Sequence, residues 1–353
     1  MRHRLGFVRF AAPGVAALRV AALGVSMAGA FPGPAHALLI VPSFDSTLTS
    51  QANAAALEAA INNAVTTIDG LYSNPGTVKI LFEYNGGVLG QSQNGESFVP
   101  YSQYVSQLAF DSATHPSNTV LASAVANIGK GNIGDYVLGT TAFLRVGMGF
   151  TGAGTTPCYN AAGSFVSGCN SIYDGIITIG NVSTSPAGVG QNSQALAVVE
   201  HEVNEVLGGG GPGTTIGQNL SGMVSGVALG PMDLYRYQSS GSTCAGVDST
   251  PSYTTSSAVV ACYSYDGGVT ALVQMNQAGG GSDYGDFATT SPNTPYIQDA
   301  FYPGTTPIYS VVSPEFQMMQ SIAWDAPEPS ALALFMGAIG SLGYFRRRRA
   351  RSV

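Results

Sequence analysis

The chemistry in this chain concentrates in one short run, Glu200-His201-Glu202-Val203-Asn204-Glu205. On a helix His201 and Glu205 stand four residues apart, so they leave the same face about one turn from each other. Two such side chains can grip one divalent cation. Glu202, beside the first ligand, is placed to reach a water rather than the ion, which is the position of a general base. Three of the chain's eight glutamates fall within these six residues. The preceding turns, Ala195-Leu196-Ala197-Val198-Val199, are apolar, so the helix is expected in the core. Carboxylates there are costly without a cation or donors. A solvated acidic face and a purely structural ion are the competing readings.

A helix over 193–207, stopped by the glycines at 208–211, must carry that run. Upstream, 38–42 reads as a first strand. Apolar residues at Ala54, Leu57, Ala60, Ile61, Ala64 and Ile68 predict a helix over 49–71. A strand is expected over 78–84, and helices over 101–109 and 120–128. Strands of the same sheet are expected over 141–146 and 175–180. Downstream, 258–263 and 269–275 read as a hairpin turning through Asp266-Gly267-Gly268. A last helix opens at Ser313-Pro314-Glu315. That order predicts an α+β fold with a mixed sheet, a site helix and an irregular C-terminal half.

The 353 residues are 45% hydrophobic and only 9% charged, which is enough apolar material for a core and argues against disorder. The basic residues gather at the ends. Residues 38–325 hold four of them against nineteen acids, a balance that repels nucleic acid and anionic membranes and favours cations. Residues 1–37 have a basic start, an apolar run and Ala35-His36-Ala37, the pattern of a signal peptide cut after Ala37 by signal peptidase. Four cysteines suit an exported chain, with local pairing of Cys158 to Cys169 and Cys244 to Cys262 expected.

At the far end Pro327-Glu328-Pro329 precedes an apolar stretch over 331–345 and then Arg346 to Arg349. This resembles the PEP-CTERM sorting signal of Gram-negative bacteria over 326–353. The resemblance implies a transmembrane helix, an inner-membrane anchor that holds the body outside, processing by an exosortase, and a final place at the cell surface or beyond it. The positive-inside rule gives the same orientation.

The segment His201-Glu202-Val203-Asn204-Glu205-Val206-Leu207-Gly208 has the layout of a zinc-peptidase His-Glu-x-x-His motif, with Glu in place of the second His. Together with Asp233-Leu234-Tyr235-Arg236-Tyr237, Tyr265-Asp266-Gly267-Gly268 and Ile322-Ala323-Trp324, it resembles a family of secreted PEP-CTERM proteins grouped with zincin-type metallopeptidases. The resemblance runs over 38–325. It implies a zincin-like (metzincin-like) domain, a divalent metal with zinc as the expected ion, and a protein or peptide substrate. Relatives carry a ligating His downstream of the Asp-Gly-Gly hairpin. The similar place here reads Tyr284-Gly285-Asp286-Phe287, which implies Asp286 as third ligand, with Asp283 the rival.

The expected roles are therefore His201, Glu205 and Asp286 as metal ligands and Glu202 as catalytic base. One imidazole and two carboxylates form a hard, anionic shell that also admits Mn²⁺, Fe²⁺ or Ca²⁺. Two anionic ligands leave bound water less acidic, so weak hydrolysis shifted to alkaline pH is expected. Tyr235, Arg236 or Tyr237 could steady an oxyanion, or Asp233 and Arg236 could form a structural ion pair. Gly279-Gly280-Gly281-Ser282-Asp283 is a weak candidate for a Ca²⁺ loop. The other function class is a non-catalytic cell-surface or biofilm-matrix protein on the same fold, with a structural metal or none. A glycan hydrolase using two carboxylates has no evident pair.

Overall fold

The computed structural model describes residues 38–327, except 129–133, 153, 187–191, 221–222, 224, 279–282, 290–294, 303 and 305–306. Residues 1–37, expected as a signal peptide, residues 328–353 with their apolar stretch, and the four loop residues before Asp283 lie outside the described residues. Among the described residues no helix is long and apolar enough to cross a membrane.

Strand β1 (Leu38–Phe44) leads through a short helix α1 (Ser46–Thr49) into α2 (Ala54–Leu71). The expected 49–71 helix is thus broken near its start. Asp45 caps α1 by accepting the Leu48 N–H at 3.1 Å, so the first turn closes on its own. Leu57, Ile61, Ala64, Val65 and Ile68 form the buried stripe of α2. Next come β2 (Gly76–Tyr84), β3 (Gly90–Asn94), β4 (Glu96–Pro100), α3 (Tyr101–Thr114), α4 (Thr119–Asn127) and β5 (Tyr136–Thr140).

Residues 141–146, expected as a strand, are helical instead: β5 ends at Thr140 and a π-helical turn follows over Phe143–Gly147. The Thr140 hydroxyl is the cause. It accepts the Phe143 N–H at 3.1 Å, diverting the backbone into a turn, and donates to the Val206 carbonyl at 2.8 Å. Side-chain β-propensity in this run yields to that tertiary contact.

Strand β6 (Gly175–Ile179) precedes the helix of interest, α5 (Gln194–Val206). Beyond it lie β7 (Ala228–Leu229), β8 (Arg236–Ser239), β9 (Val247–Pro251), β10 (Val260–Tyr263), β11 (Val273–Gln274) and α6 (Pro314–Ser321). The main sheet has the order β1-β2-β6-β3. Its first three strands are parallel and β3 runs antiparallel at the edge. A second sheet, β11-β10-β8-β9, is antiparallel, and β4-β5-β7 form a third. The expected hairpin exists as β10 with β11, joined by a long loop over 264–272 rather than a tight turn. Asp266 organises that loop by accepting the Ser264 hydroxyl and the Val269 and Thr270 N–H groups. The architecture is mixed α/β with mixed sheets, as an α+β chain requires.

Both expected disulfides are present, Cys158–Cys169 and Cys244–Cys262. Helix α5 packs against α2, β3 and β6. This buries ten of its side chains, Glu200, Glu202 and Glu205 among them.

Candidate metal centre

Helix α5 begins where the Ser193 hydroxyl accepts the Leu196 N–H at 3.2 Å. At its other end the orphan carbonyls of Val206 and Leu207 are taken by Thr140 and by the Trp324 indole N–H at 3.0 Å. The tryptophan thus pins the C-terminal turn of the site helix from the far end of the chain. Two nearby residues, Gly208 and Gly210, have positive φ. They bend the backbone so that Gly211 N–H can donate to Glu205 Oε1 at 3.1 Å.

One helical turn brings His201 and Glu205 together, with Nε2 and Oε1 3.7 Å apart. Asp286 joins them, its Oδ1 3.8 Å from the same Nε2. These three groups each offer one ligand atom, and the three atoms lie within 4.8 Å of one another. At Zn–N and Zn–O lengths of roughly 2.0–2.2 Å, ligand atoms around one tetrahedral ion lie about 3.3–3.6 Å apart, so the residues fit a cation after a small contraction. Their outer contacts suit that use as well. His201 Nδ1 donates to the Ile297 carbonyl at 2.8 Å, which turns Nε2 inward. Ser92 donates to Glu205 Oε2 at 2.7 Å. Asp283 lines the same cavity but does not enter the grouping.

The electrostatics show what burial has cost. Burial alone would lower the His201 pKa, yet Asp286, Glu205 and Glu202 hold it well above the usual histidine value. Burial pushes the Asp286 carboxyl up to about 8, against the pull of His201. Burial and then the neighbouring Glu205 carboxylate push Glu202 well up. Glu205 alone is lowered, because contacts led by His201 outweigh its burial. Three buried carboxyl groups thus share one imidazole, an arrangement that a divalent cation would relieve.

The backbone that carries Asp286 is fixed from outside. Arg236, itself buried, donates to the Asn276 carbonyl at 3.0 Å, to Gln277 Oε1 at 3.1 Å and to the Tyr284 carbonyl. Phe287 N–H then donates to the Gln298 carbonyl at 2.8 Å, setting Gln298 beside Asp286. Asp233 and Arg236 attract each other but form no close salt bridge. The Asp233 carboxylate accepts the Thr214 and Thr215 hydroxyls and the Thr215 and Gly230 N–H groups, bracing the loop after α5. Nor do Tyr235, Arg236 or Tyr237 line the cavity, so the oxyanion roles considered for them have no geometric basis. Their positions are taken up by scaffolding.

The cavity has a volume of about 560 Å³ and is lined by the β3 edge, by residues between Tyr296 and Tyr302, and by Pro307. Ser92, Glu202, Tyr296 and Tyr302 line it, with the His201, Glu205 and Asp286 grouping at its floor. Gly90 belongs here for steric reasons. A Cβ at that position would overlap Glu202 Oε1 and Val198, so the strand can approach the helix only without a side chain.

A second grouping sits elsewhere, where His115 Nδ1 lies 3.2 Å from Asp111 Oδ1 and 3.1 Å from Asp325 Oδ2. It fastens residue 325 to the α3–α4 corner. Compared with known protein families, curated proteins and solved structures, the chain finds no match.

Proposed function

We propose that the chain is an exported, metal-dependent peptidase of zincin-like architecture, anchored for a time through its C-terminal segment and then released to the cell surface or beyond. The observation that carries this reading is the meeting of His201, Glu205 and Asp286 at the floor of a cleft that Glu202 also lines. A divalent cation held there would polarise a scissile carbonyl and acidify the attacking water.

The chain's own groups supply the rest. Glu202, which lines the cavity beside His201, takes the water's proton and returns it to the leaving amine. Strand β3 pairs with β6 on one side only among the described strands, so its other edge offers N–H and C=O groups to an extended peptide. Tyr296 and Tyr302 also line the cavity and take the place of the excluded 235–237 residues as candidate oxyanion donors. The two disulfides suit an oxidising compartment.

Metal analysis of the purified 38–327 body, followed by a casein assay of wild type and Glu202→Gln, tests the reading. We expect one stoichiometric ion in both proteins and turnover lowered about 10²–10⁴-fold in the variant. Equal turnover with the ion bound would instead favour a non-catalytic surface or matrix protein. One observation speaks for that alternative: the buried Gln298 amide crowds the grouping and could complete a closed, structural shell.

A further inference from the structure

Gln298 is fully buried, and its side chain ends inside the grouping. The amide nitrogen donates to Asp286 Oδ1 at 2.9 Å and lies 3.3 Å from His201 Nε2. It therefore touches two of the three ligand groups. The other end of the same amide, Oε1, is buried with no hydrogen-bond partner. Leaving such an acceptor unpaired is costly, and folded proteins rarely tolerate it without a use. The backbone fixes the side chain's origin, because Gln298 N–H donates to the buried carboxylate of Glu315 at 3.2 Å and its carbonyl accepts from Phe287. On the open side Gly210 leaves room for the amide, where a Cβ would overlap Gln298 Nε2.

We infer that Gln298 is a fourth ligand of the ion, binding through Oε1 after its amide turns over. The inference rests on the metal reading proposed above and deepens it. A cation between Asp286 and His201 would repel the amide nitrogen that now faces them. The amide oxygen and nitrogen have nearly the same shape, so a half-turn about the last side-chain bond exchanges them without moving a neighbour. The orphaned oxygen then gains the strongest partner in the cavity. Gln298 also adds a ligand without adding charge, in a place where two carboxylates already supply two negative charges.

The resulting donor set is one nitrogen and three oxygens, two of them carboxylate. That composition narrows the usual advantage of Zn²⁺ and admits a hard ion such as Mn²⁺ or Ca²⁺. It has a mechanistic consequence as well. Four protein ligands would close a tetrahedral zinc shell, whereas an ion that takes six or more ligands keeps positions for water and substrate.

The test is calorimetric titration of the metal-free body with Mn²⁺, and separately with Zn²⁺, for wild type, Gln298→Leu and Gln298→Glu. The glutamate variant matches the native side chain in size and guards against simple misfolding, which circular dichroism would report. We expect Gln298→Leu to weaken Mn²⁺ binding 10–100-fold, the range seen when supporting groups around a metal are removed. Gln298→Glu should bind Mn²⁺ at least as tightly as wild type, and the loss of affinity in Gln298→Leu should be larger for Mn²⁺ than for Zn²⁺. Gln298→Leu affinity within twofold of wild type, or tighter, overturns the inference while leaving the three-residue centre standing. Absence of Mn²⁺ and Zn²⁺ binding in wild type overturns the centre itself, and Gln298's role with it.

Discussion

Gly210 gives the sharpest check on how the centre is built. Its backbone has φ 52° and ψ −140°, a conformation close to one that only glycine adopts freely. A side chain there costs about 1–3 kcal/mol in backbone strain alone. The added carbon would also overlap the Gln298 amide and come within 3.0 Å of Asp286 Oδ1 and Glu205 Cγ, all on groups that are themselves pinned. Overpacking of that kind costs about another 1–3 kcal/mol. Gly210→Ala should therefore lose about 2–6 kcal/mol of stability, a large part of the roughly 5–15 kcal/mol of an ordinary domain. It should also bind Mn²⁺ more weakly. The comparison is Gly70→Ala, on the exposed side of α2, where a Cβ meets nothing within 4 Å. That change should stabilise by up to about 1 kcal/mol through helix propensity. Urea unfolding of both variants, with Mn²⁺ titration of the folded fraction, is the assay. A Gly210→Ala protein as stable as wild type, with unchanged Mn²⁺ affinity, would refute the packing of residue 210 against Gln298 and Asp286.

Two further outcomes follow from other parts of the molecule. Burial lifts the half-buried Asp69 carboxyl to about 6, against the Ile40 N–H it accepts at 2.8 Å. A carboxyl raised on folding favours the native state below its unfolded pKa, and that benefit fades as pH climbs through 6. Asp69→Asn should thus gain stability relative to wild type between about pH 4 and 6, by no more than about 1 kcal/mol after allowance for solvent screening, in parallel pH-series denaturation. Replacing Cys244 and Cys262 by Ser should cost about 3 kcal/mol in calorimetry, from the loop of separation 18 that the bridge closes, and reduction of wild type should cost more because it also opens Cys158–Cys169.

Much of the helical frame was legible because it is written in periods. The stripe from Leu57 to Ile68 and the apolar opening of α5 repeat every three to four residues, and both are helices. Strand β3 was not legible. Its inward face is Gly90, Ser92 and Asn94, kept small and polar by the approach to Glu202 and by the bond from Ser92 to Glu205, so no apolar alternation marks it. The run 141–146 misled for the opposite reason, having strand-like residues bent by one hydroxyl. Within the centre, the i, i+4 spacing of His201 and Glu205 speaks for itself, whereas Asp286 rested on a family resemblance. Gln298, Tyr296 and Tyr302 gave no signal, because a neutral amide or phenol contributed by an irregular loop has no spacing to read. Arg236 was visible only as a candidate oxyanion group or ion-pair partner of Asp233, and its work, holding carbonyls around Asp286, exists only in three dimensions.

The indole of Trp324 closes the helix that carries His201, and Asn74 bonds the Ala323 carbonyl at 2.8 Å from the opposite end of the sequence. A nascent chain therefore cannot complete this centre until almost all of residues 38–325 have been made. Fragments ending short of 324 would keep their cysteines and their glutamates yet lack the latch on α5. Assembly is set by the last tenth of the body to emerge, and a cation arriving earlier would meet ligands without a frame.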